Sequence, residues 1–150
     1  MKTILKEPNL YDLLYEDVVE DIQVYLNLTK EYNKIIEYGA GTGRVTIPLV
    51  KDGKFVYAID NEQLMLNKLD ENLKNNNIDV SKSVNIINAN MIDYKHFEMA
   101  ECIIMPLTVF NYILTDEEQN RCLKNISDSL KSGWKLVLEL LTKNTFNEIN

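Results

Sequence analysis

The fold turns on the reading of Ile35-Ile36-Glu37-Tyr38-Gly39-Ala40-Gly41-Thr42-Gly43-Arg44. Residues 34–38 form a short β-type run that stops at Gly39, and glycines follow at alternate positions before a helical pattern over residues 44–51. In a strand-to-helix turn, glycine permits positive φ and lets the backbone come close to a ligand. The unpaired N–H groups at the helix start are then expected to face that ligand. An acidic side chain, Glu37, lies beside the loop as the strand closes.

Outward from this loop the alternation of strand and helix continues. Upstream, Leu10, Tyr11, Leu14, Tyr15, Val18, Val19, Ile22, Tyr25 and Leu26 recur at helical spacing and predict one helix or two over residues 9–28. Downstream, residues 55–60 read as a second strand, 62–75 as a helix, 84–88 as a third strand and 101–105 as a fourth. Thr115 followed by Asp116, Glu117 and Glu118 predicts a capped helix start. That helix is expected to reach Lys131 and to stop at Ser132-Gly133, with a fifth strand over residues 135–141. Strands and helices in this order predict parallel βαβ units. The expectation is one α/β domain over residues 1–150: a doubly wound, Rossmann-like parallel sheet of five strands in three α/β/α layers. A helical segment occupies about residues 1–30 and the core about 31–150.

The loop excludes two common ligands. A dinucleotide fingerprint needs a glycine at the sixth position, which counted from Gly39 is Arg44. No Gly-Lys-Ser or Gly-Lys-Thr follows, so it is not a P-loop. Glu37 would repel a pyrophosphate and favour a cation. Asp60 ends the second strand seventeen positions after Gly43. A carboxylate there can accept both hydroxyls of a ribose, or it can cap the next helix.

Glu37 to Gly43 resembles the E-x-G-x-G-x-G first motif of the class I methyltransferases at every specified position. Asp60-Asn61-Glu62-Gln63-Leu64-Met65-Leu66 resembles their second motif, with Glu62 where a small residue is usual. Ala89-Asn90-Met91 resembles their adenine-binding motif, with Asn90 in place of the usual Asp. Residues 101–114 look like the fourth strand and following loop of the small-molecule branch, and Lys131-Ser132-Gly133-Trp134 like a Lys-x-Gly-Gly turn whose second Gly is Trp. The resemblance covers about residues 10–141. It implies S-adenosylmethionine as cofactor, which has no phosphate and carries an ammonium and a sulfonium, and S-adenosylhomocysteine as product.

The cofactor-binding set implied is Glu37, Gly39, Ala40, Gly41, Gly43, Asp60, Asn61, Met65, Asn90, Met91 and Tyr15. Two of these have a plainer reading: Met65 as a core-facing helical residue and Asn90 as surface-loop polarity. Tyr15, with Tyr11, either closes over the methionine end of the cofactor or belongs to a helical core stripe. Thr108, Asn111 and Tyr112 either face the acceptor or satisfy and pack the loop. The implied activity is methyl transfer to nitrogen or oxygen of a small molecule. The methyl arrives activated, so catalysis can be largely positioning, and a base is needed only if the acceptor must lose a proton. No catalytic residue stands out. The only histidine, His96, reads as surface or packing.

Composition agrees with this reading. Apolar residues are 45% of the chain and the mean hydropathy is −0.23, as for an ordinary globular domain. No apolar run approaches the ~20 residues of a membrane span, and the first residues carry no signal-like apolar stretch, so a cytoplasmic location is expected. Cys102 and Cys122 suit neither a disulfide scaffold nor a zinc site, and no metal is expected. The net charge is −7 with only two arginines, which disfavours nucleic acid and anionic membranes as partners. The resemblance implies seven strands, whereas Asn150 falls about where the helix after strand five would begin. A shortened chain, or one completed at the strand-five edge by a partner or a second copy, is the expectation. The alternative function is a cofactor-binding module that is inactive alone. A nicotinamide-dependent oxidoreductase is disfavoured by Arg44 and Glu37.

Overall fold

The computed structural model describes residues 4–96 and 100–141. A short 3-10 turn, Ile4–Lys6, leads into two helices, α1 (Pro8–Tyr15) and α2 (Glu20–Thr29), so the long apolar pattern resolves into two pieces. Pro8 starts α1, where its missing N–H costs nothing. There follow β1 (Lys34–Tyr38), α3 (Thr46–Lys51), β2 (Phe55–Asp60), α4 (Gln63–Asn75), the single turn α5 (Val80–Ser83) and β3 (Val84–Asn88). The chain then forms β4 (Ala100–Met105), a 3-10 turn over Val109–Tyr112, α6 (Asp116–Ser129) and β5 (Leu130–Leu138).

The five strands are parallel and lie in the order β3-β2-β1-β4-β5. From β1 the chain first builds outward through β2 to β3, then returns to lay β4 on the other side of β1. The strand order therefore reverses between β1 and β4, and a crevice opens there at the strands' carboxyl ends. Alternate residues of each strand bury on opposite faces. Ile35, Val56, Ala58, Cys102 and Ile104 pack with Tyr25 of α2, Leu49 of α3, and Leu66, Leu69 and Leu73 of α4. Ile36, Tyr38, Tyr57, Ile59, Ile103 and Met105 pack instead with Phe110, Ile113, and Cys122 and Ile126 of α6. The result is the three-layer α/β/α arrangement, with both cysteines buried as thiols.

The largest departure from the sequence reading is at the fifth strand. Helix α6 ends at Ser129 rather than Lys131, and β5 begins at once. Ala100 pairs with Leu130 but Cys102 with Lys135, so Ser132 and Gly133 lie in a bulge within the strand instead of stopping a helix. Gly133 has φ +88°, a conformation glycine adopts without strain. The expected N-cap Thr115 is in place: its hydroxyl accepts the Glu118 N–H at 3.3 Å and donates to the Glu118 carboxylate at 2.9 Å.

Candidate functional site

The crevice is floored by the β1 and β2 ends and the glycine loop, and walled by α1 on one side and the segment after β4 on the other. Glu37, Gly39, Ala40, Gly41, Asp60, Asn61, Met65 and Met91 all line it, as do Tyr15 and Tyr112. The sequence motifs thus converge on one cavity. Met65 is both things it was read as: a buried residue of α4 and part of the crevice wall. Helix α1 buries none of its residues, so Tyr11 and Tyr15 are not a core stripe. Their rings stack at 4.5 Å and both face the crevice.

The loop is braced in a way the sequence did not show. The N–H groups of Gly39 and Ala40 both donate to Ile59 O, at 2.8 and 3.1 Å. Gly41 N–H donates to Asp60 Oδ2 at 2.9 Å, and Gly43 N–H to Ala40 O at 3.0 Å. These four loop donors are used inside the protein; the expectation of ligand-facing N–H groups concerns the start of α3. Gly39 and Gly41 serve instead through what they lack. A Cβ on Gly39, at φ +72°, would lie 2.4 Å from Val109 Cγ2 and 3.1 Å from its Cβ. Gly41 has φ +55° with open space where its side chain would be.

Asp60 is the hinge of the site. Its Oδ1 accepts Glu62 N–H at 2.9 Å while Oδ2 takes Gly41 N–H, leaving lone pairs on both oxygens for hydroxyl donors. Glu62, not Asp60, is the N-cap of α4. Burial pushes the Asp60 carboxyl up, against the lowering effect of the Glu62 and Gly41 N–H bonds. Glu37 is fully buried below the loop, and its Oε2 accepts the Thr46 hydroxyl at 2.6 Å. Burial pushes it up to about 8, opposed by the Thr46 bond and the Arg44 charge and reinforced by Asp60.

Four residues of the expected set lie elsewhere. Gly43 is not on the crevice; its absent side chain admits Leu69 of α4, whose Cδ1 would be 2.4 Å from a Cβ there. Asn90 is exposed and its amide oxygen accepts Ile92 N–H at 2.9 Å, a local turn bond. Asn111 accepts Leu141 N–H at 3.1 Å, and Thr108 also stands outside the lining. Arg44, Leu107 and Val109 also line the crevice without a sequence motif to mark them, as does Tyr11, which lies four positions before Tyr15 and so on the same helical face. Arg44 forks onto Asp21 at 2.7 and 2.5 Å and donates to Val18 O at 2.7 Å, fastening the start of α2 to the loop. Among the described residues no cluster could hold a metal ion, and no helix is long and apolar enough to cross a membrane.

A family model for the methyltransferase domain matches residues 35–133, from the first strand through the bulge in the fifth. The chain belongs to this methyltransferase family. An uncharacterized methyltransferase of Bacillus cereus (strain 03BB102) is 30% identical over 125 residues, covering 82% of this chain and 51% of the relative. The methyltransferase chain therefore spans about half the length of the curated relatives it matches. A solved S-adenosylmethionine-dependent methyltransferase from Clostridium acetobutylicum ATCC 824 shares its fold, with TM-score 0.77 and 16% identity over 94% of this chain and 60% of that one. CalS10, an amino pentose methyltransferase from Micromonospora echinaspora solved with S-adenosylmethionine bound, gives TM-score 0.68 and 16% identity over 85% and 51%. The fold is that of the class I methyltransferases, whose cofactor is S-adenosylmethionine.

The methyltransferase crevice fits such a cofactor on its own chemistry. The N–H groups of Gly39, Ala40, Gly41 and Gly43 are turned inward and so do not serve a pyrophosphate. The crevice presents instead the Asp60 carboxylate, the buried Glu37 carboxyl, glycine backbone, and apolar surface from Ile59, Met65 and Ala89.

Proposed function

We propose that this chain holds S-adenosylmethionine in the crevice and that its protein transfers the methyl group to nitrogen or oxygen of a small-molecule acceptor. The observation that carries the reading is Asp60, with each oxygen tied to one backbone N–H and still able to accept, directly beside the closely approachable Gly39–Gly41 backbone. Asp60 would take the ribose hydroxyls, Met65, Ile59 and Ala89 the adenine, and the cationic end, once bound, would favour ionisation of the buried Glu37 carboxyl. The cofactor supplies an activated methyl for in-line displacement. The protein's part is to orient the acceptor and exclude water.

The phenols around the crevice support positioning over proton removal. Burial pushes Tyr11 up to about 12 and also raises Tyr112, so both stay neutral near pH 7 and would serve an acceptor as hydrogen-bond partners, not as bases. An acceptor that arrives already neutral, such as an unprotonated amine, suits such a site. Solved relatives of this fold include an amino pentose methyltransferase and a glycopeptide N-methyltransferase, which supports a small or peptide-sized amine over nucleic acid.

Isothermal calorimetry with S-adenosylmethionine, S-adenosylhomocysteine and NAD tests the cofactor reading. Micromolar binding of the first two and none of NAD is expected; the reverse pattern overturns it. A second reading is favoured by the edge of β5, which among the described residues pairs with β4 alone. On that reading the chain binds cofactor but turns over only when a partner or second copy covers the edge. Light scattering beside turnover on a panel of amines separates the two, since a monodisperse active monomer rejects the second.

A further inference from the structure

The segment after β4 contains a feature with no glycine to explain it. Leu107 and Thr108 have φ +49° and +56°, two successive left-handed residues that both carry side chains. Such residues are costly and persist only where surrounding contacts hold them. Val109, just beyond, packs over Gly39, and Leu107 and Val109 both line the crevice. The holding contact comes from the far edge of the sheet. Glu139, one residue past β5, accepts Leu107 N–H at 3.0 Å on Oε2. The same oxygen accepts the hydroxyl of Tyr25, a buried residue of α2, at 2.7 Å, while Glu139's own N–H donates to Met105 O at 3.3 Å.

We infer that Glu139 is a positioning residue, fixed by Tyr25, that holds the Leu107–Thr108 turn against the crevice and so sets the wall opposite the glycine loop. Its link to ligand binding rests on the cofactor reading above; its link to the turn does not. Both bonds converge on one oxygen, so an amide oxygen can replace it while a methyl cannot.

The test uses Glu139→Ala, Glu139→Gln and Tyr25→Phe in the chain as described, with two readouts. The first is amide hydrogen exchange at Leu107–Val109, referenced to β1 and β2. The second is S-adenosylhomocysteine affinity by calorimetry. Glu139→Ala is expected to speed exchange in the turn at least tenfold with the sheet still protected, and to weaken binding about tenfold. Glu139→Gln should stay within about threefold of the wild type in both, and Tyr25→Phe should fall between. Should Glu139→Ala not fold, the other two variants decide. Unchanged turn exchange in Tyr25→Phe and Glu139→Ala overturns the proposal, as does a Gln variant as impaired as the Ala. A wild type that fails to bind the nucleoside sinks the cofactor reading, while the exchange data still decide the role of Glu139.

Discussion

The two walls of the crevice are built by different means. On the β1–β2 side the chain uses consecutive residues: a strand end, alternate glycines, a second strand end nineteen positions beyond Gly41, and backbone hydrogen bonds between them. On the β4–β5 side it uses side chains brought from afar, with Tyr25 and Glu139 separated by 114 residues and Leu107 and Glu139 by 32. The first wall is a local device whose parts are fixed by residue type. The second is a tertiary device in which ordinary residues acquire a role by meeting. The difference teaches that a crevice can carry a readable cofactor side and an unreadable opposite side, because only on the first is the unusual backbone geometry announced by glycine, whereas Leu107 and Thr108 adopt it unannounced.

The comparison can be broken first at Gly39. Gly39→Ala combines a positive φ with a Cβ overlapping Val109, whose own Cβ is too close for a rotamer change to relieve. A loss of about 3 kcal/mol in chemical denaturation is expected. Gly41→Ala, with the same kind of φ and open space, should lose only about 1–2 kcal/mol. Equal effects at the two positions would show that Val109 gives way and that the walls are not in firm contact.

Next is Asp60→Ala, expected to weaken S-adenosylhomocysteine binding by about 1.5–3 kcal/mol through lost bonds to a charged acceptor. Unchanged affinity would remove the ribose from this wall. Glu37 sharpens the comparison through pH. Its folded value of about 8 lies above the ordinary 4.5, so the folded chain binds the proton more tightly than the unfolded one. Its stabilising contribution is complete below about pH 4.5 and is lost as pH rises toward about 8. Melting curves of the wild type should therefore fall over that window relative to Glu37→Gln; parallel curves would mean the carboxyl is not buried. The smallest effect is expected at Thr115→Ala, outside both walls, where loss of the α6 cap should cost about 1 kcal/mol without changing affinity.

Much of the fold was legible because the signals were local. The order of strands and helices followed from periodicity and glycine punctuation, and the Thr115 cap from residue type. The fifth strand was misplaced because Ser132-Gly133 has the composition of a helix stop but serves as a bulge once Leu130 finds Ala100. Glu37, Gly39, Gly41 and Asp60 could be placed together on one crevice because chemistry and spacing coincide in them. For Asn90 and Asn111 the structure shows the plainer of the two readings, a side-chain amide bonded within its neighbourhood, which a motif does not record.

By itself the sequence determined that this chain would wind a parallel sheet around a glycine turn flanked by carboxylates, since positive φ, burial periodicity and charge are properties of residue types. Only the tertiary structure decided where the loop's N–H groups point, that Gly43 makes room for Leu69, and that Glu139 reaches a turn no glycine announces. Those outcomes depend on which atoms arrive within hydrogen-bond or van der Waals range, and meetings between residues far apart in the chain leave no mark in local composition.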